Sequence, residues 1–381
     1  MSVDPETRAQ LIETVRRFVR EKCVPLEPTV AEDDRIPDSI IEEMRALGLF
    51  GLSIPEAYGG LGLGMEDEVL VCFELGWTSP AFRSVIGTNV GIGSQGVVMS
   101  GTEEQKRTWL PKLARGEVIA SFAMTEPEAG SDAASLRTTA IRDGADYVVN
   151  GTKRFITNAD RAGMFTLLAR SDPAKAGAAG ISAFIVPADT PGIAIGKPEK
   201  KMGQQGAQIC DVVIQDARVP AHLRLGDEGQ GFKLAMKVLD RGRLHIAAMC
   251  VGVAERLLHE CVSYARERRQ FGRPIGEFQL VQAMLADSLT ESYAARTMVL
   301  DAAQKRDAGV VVTEEAACAK YFASEMAGRV ADRAVQIFGG AGYVADHGIE
   351  RFYRDVRIFR IYEGTSQIQQ LVIARQLLQS G

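Results

Sequence analysis

Glu363 is a candidate, by its surroundings, for acid–base chemistry. It lies in Arg360-Ile361-Tyr362-Glu363-Gly364-Thr365-Ser366, among apolar and aromatic neighbours and just before a glycine. A carboxylate in such a setting loses hydration, its pKa rises, and it can take a proton from a weak acid. The Gly-Thr-Ser that follows opens a helix whose first N–H groups have no helical partner. The competing reading is a solvated acid in a loop, which describes most carboxylates.

Four other segments carry usable chemistry. Met124-Thr125-Glu126-Pro127-Glu128-Ala129-Gly130-Ser131-Asp132 is a small-residue turn after an apolar run, with hydroxyls at Thr125 and Ser131. Small residues let a ligand approach the backbone, although connecting turns look the same. Lys153-Arg154-Phe155-Ile156-Thr157-Asn158 offers an aromatic face and a hydroxyl to a flat ring, or is an ordinary strand end. Arg266, Arg268, Arg269 and Arg273 cluster in a chain that is acidic overall. Their forks suit phosphate, and they equally suit a solvated helix end. Gln336-Ile337-Phe338-Gly339-Gly340-Ala341-Gly342 allows close backbone approach, by a ligand, a neighbouring chain or a helix cap. It is neither a GxGxxG loop nor a P-loop.

The elements that must position these segments change character twice. Residues 1–117 read as helical. Leu11, Ile12, Val15, Phe18 and Val19 form one apolar stripe. Asp38 is expected to cap a helix, as is Thr102, and 87–99 reads as one helix. Residues 118–225 read as strands, with Asp143-Gly144 marking a hairpin between 137–142 and 147–150. Strands do not alternate with helices there, so an antiparallel sheet or barrel is expected and a doubly wound nucleotide fold is not. Residues 226–381 read as a helical bundle. The runs 232–259, 278–305, 312–338 and 368–378 supply its helices.

Composition narrows the partners. The chain has 381 residues, with 44 Lys+Arg against 49 Asp+Glu and a net charge of −5. That balance argues against a nucleic-acid role. Hydrophobic residues are 46% and charged residues 24%, so the chain is globular rather than disordered. No run approaches a membrane span, and the N-terminal residues show no secretory h-region, so a cytoplasmic protein is expected. The most apolar run, 244–253, still carries His245. The six cysteines and four histidines are dispersed, which points to free thiols and no metal site.

Together, Met124–Asp132 (MTEPEAGSD), Asn150–Asn158 (NGTKRFITN), Glu267–Gly272 (ERRQFG), Gln336–Tyr343 (QIFGGAGY) and Ile361–Gln369 (IYEGTSQIQ) resemble the acyl-CoA dehydrogenase family, in its order and spacing. The resemblance covers essentially the whole chain. It implies an N-terminal helical domain, an antiparallel β-barrel-like middle domain and a C-terminal four-helix bundle, assembled as a homotetramer of paired dimers. It implies FAD-dependent oxidation of the Cα–Cβ bond of an acyl-CoA thioester, with electrons passed to an electron-transfer flavoprotein. By matching positions, Phe122, Met124, Thr125 and Ser131 would line the flavin, with Ser131 also near the substrate. Phe155, Ile156 and Thr157 would flank its ring system. Arg268, Gln270, Phe271 and Gln279 would hold the diphosphate and adenosine, with Gln336, Gly339 and Gly340 coming from a partner chain. Thr365 and Gln367 would complete the adenosine side. Glu363 matches the family's base, Asp240, Arg243 and Gly364 match positions near the substrate, and an alternative base position on the long helix is Gly242 here. Phe155 stands where many members have Trp, Ala207-Gln208-Ile209 replaces a Ser/Thr-rich stretch, and Glu128 stands where a small residue is usual.

Arg83, in Pro80-Ala81-Phe82-Arg83-Ser84, resembles an arginine of glutaryl-CoA dehydrogenases that pairs with the distal carboxylate. The expectation is a short dicarboxylyl-CoA substrate. The alternatives are a short- or medium-chain fatty acyl-CoA dehydrogenase with a structural Arg83, or an acyl-CoA oxidase that uses oxygen.

Overall fold

A computed structural model of the chain describes residues 4–379. Its first part is helical, from Pro5–Phe18 to Glu103–Ala114. Thr102 caps the latter helix in a reciprocal box with Gln105, as its spacing requires. Asp38 does not cap. The helix Asp38–Ala46 starts at this residue after Pro37, and the carboxylate pairs with Arg35 instead. The stretch expected as one helix over 87–99 is divided. An α-helix, Pro80–Gly87, leads into a π-helical turn, Thr88–Gly93, followed by Gln95–Ser100. Contact with the sheet explains the division. A β-carbon on Gly93 would stand 2.7 Å from the Ala120 side chain, so this turn lies directly on a strand.

The middle part is an eight-stranded sheet. The hairpin Thr139–Asp143 with Asp146–Thr157 forms around Gly144, whose φ of +62° suits glycine. The sheet is not antiparallel throughout, contrary to the expectation from sequence. Ala120–Ala123 runs parallel to Met164–Arg170, and Thr139 pairs in parallel with Arg170. Asn89 explains where the parallel strand goes. Its Oδ1 accepts from Ala120 N at 2.6 Å, and its Nδ2 donates to Leu113 O at 3.0 Å and Val118 O at 3.2 Å. The strand is therefore fastened to the helical domain as it enters the sheet.

The last part is a bundle of Gly231–Glu267, Gln279–Asp307, Thr313–Phe338 and Ser366–Gln379. The first of these extends well past the predicted limit at His259. Its middle, from Gly242 to Ala254, is buried on every face. It crosses the N-terminal helix Met65–Leu75 at very short range: a β-carbon on Gly252 would lie 2.2 Å from Phe73 O, and one on Gly76 2.7 Å from Met249 O. Glycine at both positions permits that crossing. The helix Met65–Leu75 is capped from the bundle, since Asp307 accepts from Met65 N at 2.7 Å and Glu66 N at 2.9 Å. All six cysteines are free, and five are buried. Among the described residues there is no metal-ligand cluster, and no helix is long and apolar enough to cross a membrane.

Candidate active site

Glu363 sits where the bundle, the N-terminal helices and the final helix meet. It has a left-handed backbone, φ +52°, followed by Gly364 at φ +89°. A non-glycine residue is held there only by its surroundings. Two side chains do the holding. The buried Lys320 donates to Gly364 O at 2.6 Å, and Gln369 Nε2 donates to Glu363 O at 3.1 Å and Gly364 O at 3.0 Å. Thr365 Oγ1 accepts from Ile368 N at 3.2 Å and so starts the last helix.

The carboxylate of Glu363 points at the long helix. A β-carbon on Gly242 would stand 2.1 Å from Oε2. That oxygen is buried and has no hydrogen-bond partner among the described residues. Burial pushes the pKa up, and Arg83, Lys320 and Arg243 oppose the rise. The result is a desolvated carboxylate with three cations at hand, able to accept a proton and to release it.

Asp240 and Arg243 lie on the same helix as Gly242. Arg243 Nη1 donates to Asp240 Oδ1 at 2.6 Å, and Thr313 Oγ1 donates to Asp240 Oδ2 at 2.8 Å. Arg83 comes from the helix Pro80–Gly87 and is 9% exposed. The structure thus gathers Arg83, Asp240, Arg243, Glu363 and Gly364 at one place.

A second group forms on the sheet. Arg154 N donates to Thr125 O at 2.8 Å, Lys153 Nζ donates to Met124 O at 3.2 Å, and Ser121 Oγ donates to Thr157 O at 2.7 Å. These bonds place Phe122, Met124 and Thr125 beside Phe155, Ile156 and Thr157. A register shift between Lys153 and Ile156 turns Phe155 outward at φ +58°, leaving its ring 51% exposed. Ile156 points the other way, into the sheet core, so it can offer a ligand its backbone and not its side chain. Ser131 is exposed on the adjoining turn.

A third group lies at one end of the bundle. The hairpin of Arg269–Gln270 with Arg273–Pro274 exposes Arg268, Gln270 and Phe271, the last by 94%. Gln279 is exposed at the start of the next helix. Tyr264 stacks on Phe338 at 4.1 Å, so the exposed Gln336, Gly339 and Gly340 share this end. Gly339 ends its helix at φ +60°, so the cap geometry is real whatever else the segment does. Gln367 is exposed on the final helix.

Several positioning residues were not visible in the sequence. Glu126 and Lys153 form a buried pair at 2.8 Å under the Met124–Ser131 turn. Glu126 Oε1 also accepts from Thr138 N at 2.9 Å. Asn158 ties the strand end to the helical domain through Ser84 O and Thr88 Oγ1, both at 2.8 Å. A lysine within the alanine-rich run 316–331 was the available signal for Lys320.

The chain matches three family models. They are described as the acyl-CoA dehydrogenase N-terminal domain over residues 5–117, middle domain over 121–217 and C-terminal domain over 229–378. A probable acyl-CoA dehydrogenase of Bacillus subtilis is 44% identical, with 96% of each chain covered. Butyryl-CoA dehydrogenase from Megasphaera elsdenii superposes with a TM-score of 0.95 at 37% identity, over 99% of this chain and all of that one. A structure described under the electron transferring flavoprotein of Acidaminococcus fermentans gives 0.95 at 39%, with 99% and 100% covered. A glutaryl-CoA dehydrogenase in complex with glutaryl-CoA gives 0.94 at 33%, with 100% and 97% covered. With all three domains matched in order and the fold reproduced from end to end, the chain belongs to the acyl-CoA dehydrogenase family.

Proposed function

We propose that this chain oxidises the Cα–Cβ bond of an acyl-CoA thioester to the trans-2-enoyl-CoA, with Glu363 as the base that removes the α-proton. The observation that carries this reading is the buried, unpartnered Oε2 of Glu363 against Gly242. A base for a weak carbon acid must be desolvated yet not locked in an ion pair. Lys320 and Gln369 hold its backbone, and Arg83, Lys320 and Arg243 keep the carboxylate form accessible. The Glu363 N–H would donate to the thioester oxygen as negative charge develops there.

FAD is the cofactor of this enzyme, and when bound it supplies the hydride acceptor. The sheet residues suit a flat ring system: an outward Phe155 ring stands beside the hydroxyl-bearing Thr125 and Thr157, with Ser131 on the adjoining turn. Arg268, Gln270, Phe271 and Gln279 would hold the diphosphate and adenosine, with Thr365 and Gln367 near the adenosine. Because Gln336, Gly339 and Gly340 share an end of the bundle with Arg268 and Phe271, the two segments would reach one cofactor as a unit from a partner subunit. The exposed Phe271 and Tyr343 at that end support a homotetramer, in which a neighbour would cover them. An electron-transfer flavoprotein as acceptor is supported by the neighbour described with one.

For the acyl group, the reading is a short dicarboxylyl-CoA held through Arg83. Its support is a buried guanidinium close enough to Glu363 to oppose the rise of its pKa. A straight-chain acyl-CoA with a structural Arg83 is the second reading, favoured by the hydrogen bond from Arg83 to His245. Anaerobic flavin bleaching by butyryl-CoA and glutaryl-CoA tests both, in wild type and Arg83→Ala. Glu363→Gln should keep its bound flavin yet show no bleaching by any acyl-CoA. Bleaching in that variant refutes the role of the base.

A further inference from the structure

Behind the base runs a chain of buried polar groups that proton removal does not use. The Arg83 guanidinium lies along two glycines. A β-carbon would stand 2.6 Å from Nη1 at Gly87 and 3.4 Å from Nη2 at Gly91. Arg83 Nη2 is 3.3 Å from His245 Nδ1. His245 is wholly buried and follows Gly242 by three residues on the long helix, so it shares the face that meets Glu363. His245 Nε2 is 2.8 Å from Glu68 Oε2, and the other oxygen of Glu68 pairs with Arg241.

The donors and acceptors fix the charge of each member. A guanidinium can only donate, so His245 Nδ1 must accept and is bare. Nε2 therefore carries the proton and donates to Glu68. Burial disfavours a second proton on the ring, as do Arg83, Arg241 and Arg306 around it. The imidazole is neutral. Glu68 has its counter-ion in Arg241. Arg83 is thus oriented but not neutralised, and among the described residues no carboxylate forms an ion pair with it. A carboxylate in the place of His245 would have discharged the guanidinium; a neutral acceptor leaves its charge available on the side of Glu363, whose carboxyl already feels it.

We propose that His245 is a specificity-determining positioning residue, which orients Arg83 through a neutral acceptor so that its charge remains free for the distal carboxylate of a dicarboxylyl-CoA. This rests on the dicarboxylyl reading of Arg83. It assigns to the buried run 244–253 a function that packing alone does not require.

The test compares kcat and KM for glutaryl-CoA and butyryl-CoA in wild type, Arg83→Ala, His245→Asn, His245→Asp and His245→Leu. Retained flavin absorbance reports folding. Asn and Asp have nearly the same shape and differ in charge. The expected result is that His245→Asn keeps most of the glutaryl/butyryl ratio of kcat/KM. His245→Asp and His245→Leu lower that ratio at least tenfold, mainly through KM for glutaryl-CoA. If Asp at 245 prevents folding, His245→Leu decides alone, since it removes the acceptor without adding charge. Should the ratio survive in His245→Leu but collapse in Arg83→Ala, the role of His245 is overturned and the dicarboxylyl reading stands. Equal behaviour of the Asn and Asp variants overturns the charge argument. A ratio unchanged by Arg83→Ala overturns the underlying reading itself.

Discussion

A β-carbon at position 242 and the Glu363 carboxylate cannot occupy the same space, since only 2.1 Å would separate them. What must yield is the end of a flexible side chain, because the remaining contacts, with Glu363 Cδ at 3.0 Å and Ile92 Cγ2 at 3.2 Å, are far less severe. Gly242→Ala should therefore fold with a Tm within a few degrees of wild type. Helix propensity even favours alanine, by about 1 kcal/mol. With Glu363 as the proposed base, the variant's activity should fall by about 100-fold, because misplacing a catalytic group by an ångström costs about that much. Thermal melting with steady-state kinetics checks both halves. A variant with lost stability or with unaltered kcat would refute the argument. The apolar neighbours of Glu363 marked it in the sequence as a candidate base beside the reading of a solvated acid, and only the family resemblance favoured the first; the room that Gly242 leaves for it was not legible. A glycine in a helix reads as a weak point until the atom it makes room for is known.

Elements hold Glu363 in its left-handed turn. The bundle helix Thr313–Phe338 contributes Lys320, and the last helix contributes Gln369. Burial pushes the Lys320 amine down to about 8. It is thus a buried charge whose hydrogen bond goes to a neutral carbonyl. Replacing such a group by a hydrophobe of similar size is often neutral for stability or better. Lys320→Met should therefore leave the Tm unchanged or higher. It should also lower kcat by about 10-fold, since a support that fixes the reacting geometry is gone while Gln369 remains. A fall in kcat with little change in KM separates this from a loss of substrate binding, and unchanged kcat counts against the clamp. Most elements were legible because apolar spacing and turn chemistry are local. The hairpin at Gly144 and the cap at Thr102 followed from a few adjacent residues; the reciprocal bond from Gln105 came with the structure. The π-helical turn Thr88–Gly93 and the parallel pairing of Ala120–Ala123 did not, since both depend on how the helical domain meets the sheet. The cap expected of Asp38 failed for a neighbouring cause: Pro37 precedes the helix and Arg35 takes the carboxylate.

Across the whole molecule, the three domains meet at Asp355, which lies before the strained turn of Glu363. Ser79 of the N-terminal domain donates to Asp355 Oδ2 at 3.2 Å, and Gln204 N of the middle domain donates to Oδ1. Nearby, Arg351 reaches Glu27 at 3.0 Å, a second tie between the first and last domains. No local pattern reveals such contacts, because their partners lie far apart in the chain. Burial raises the Asp355 carboxyl to about 6, although Gln204, Arg351 and Ser79 all favour the ionised form. Its folded pKa thus lies above the ordinary value of 3.8. The folded state holds this proton more tightly than the unfolded chain. The stability that the proton contributes is complete below the ordinary value and is lost as pH rises through about 6. Asparagine keeps an acceptor for Gln204 N and removes the titration. Asp355→Asn should therefore compare more favourably with wild type at pH 7.5 than at pH 4.5. Asp355→Ala, which leaves a buried N–H unpaired, should be less stable than Asp355→Asn at both, by about 1–3 kcal/mol. Denaturant melts of the three proteins at the two pH values give these differences, and other titrating groups cancel in the comparison. A wild type–Asn difference independent of pH would mean that Asp355 is ionised at both, and that the junction binds the charge more strongly than its burial opposes it.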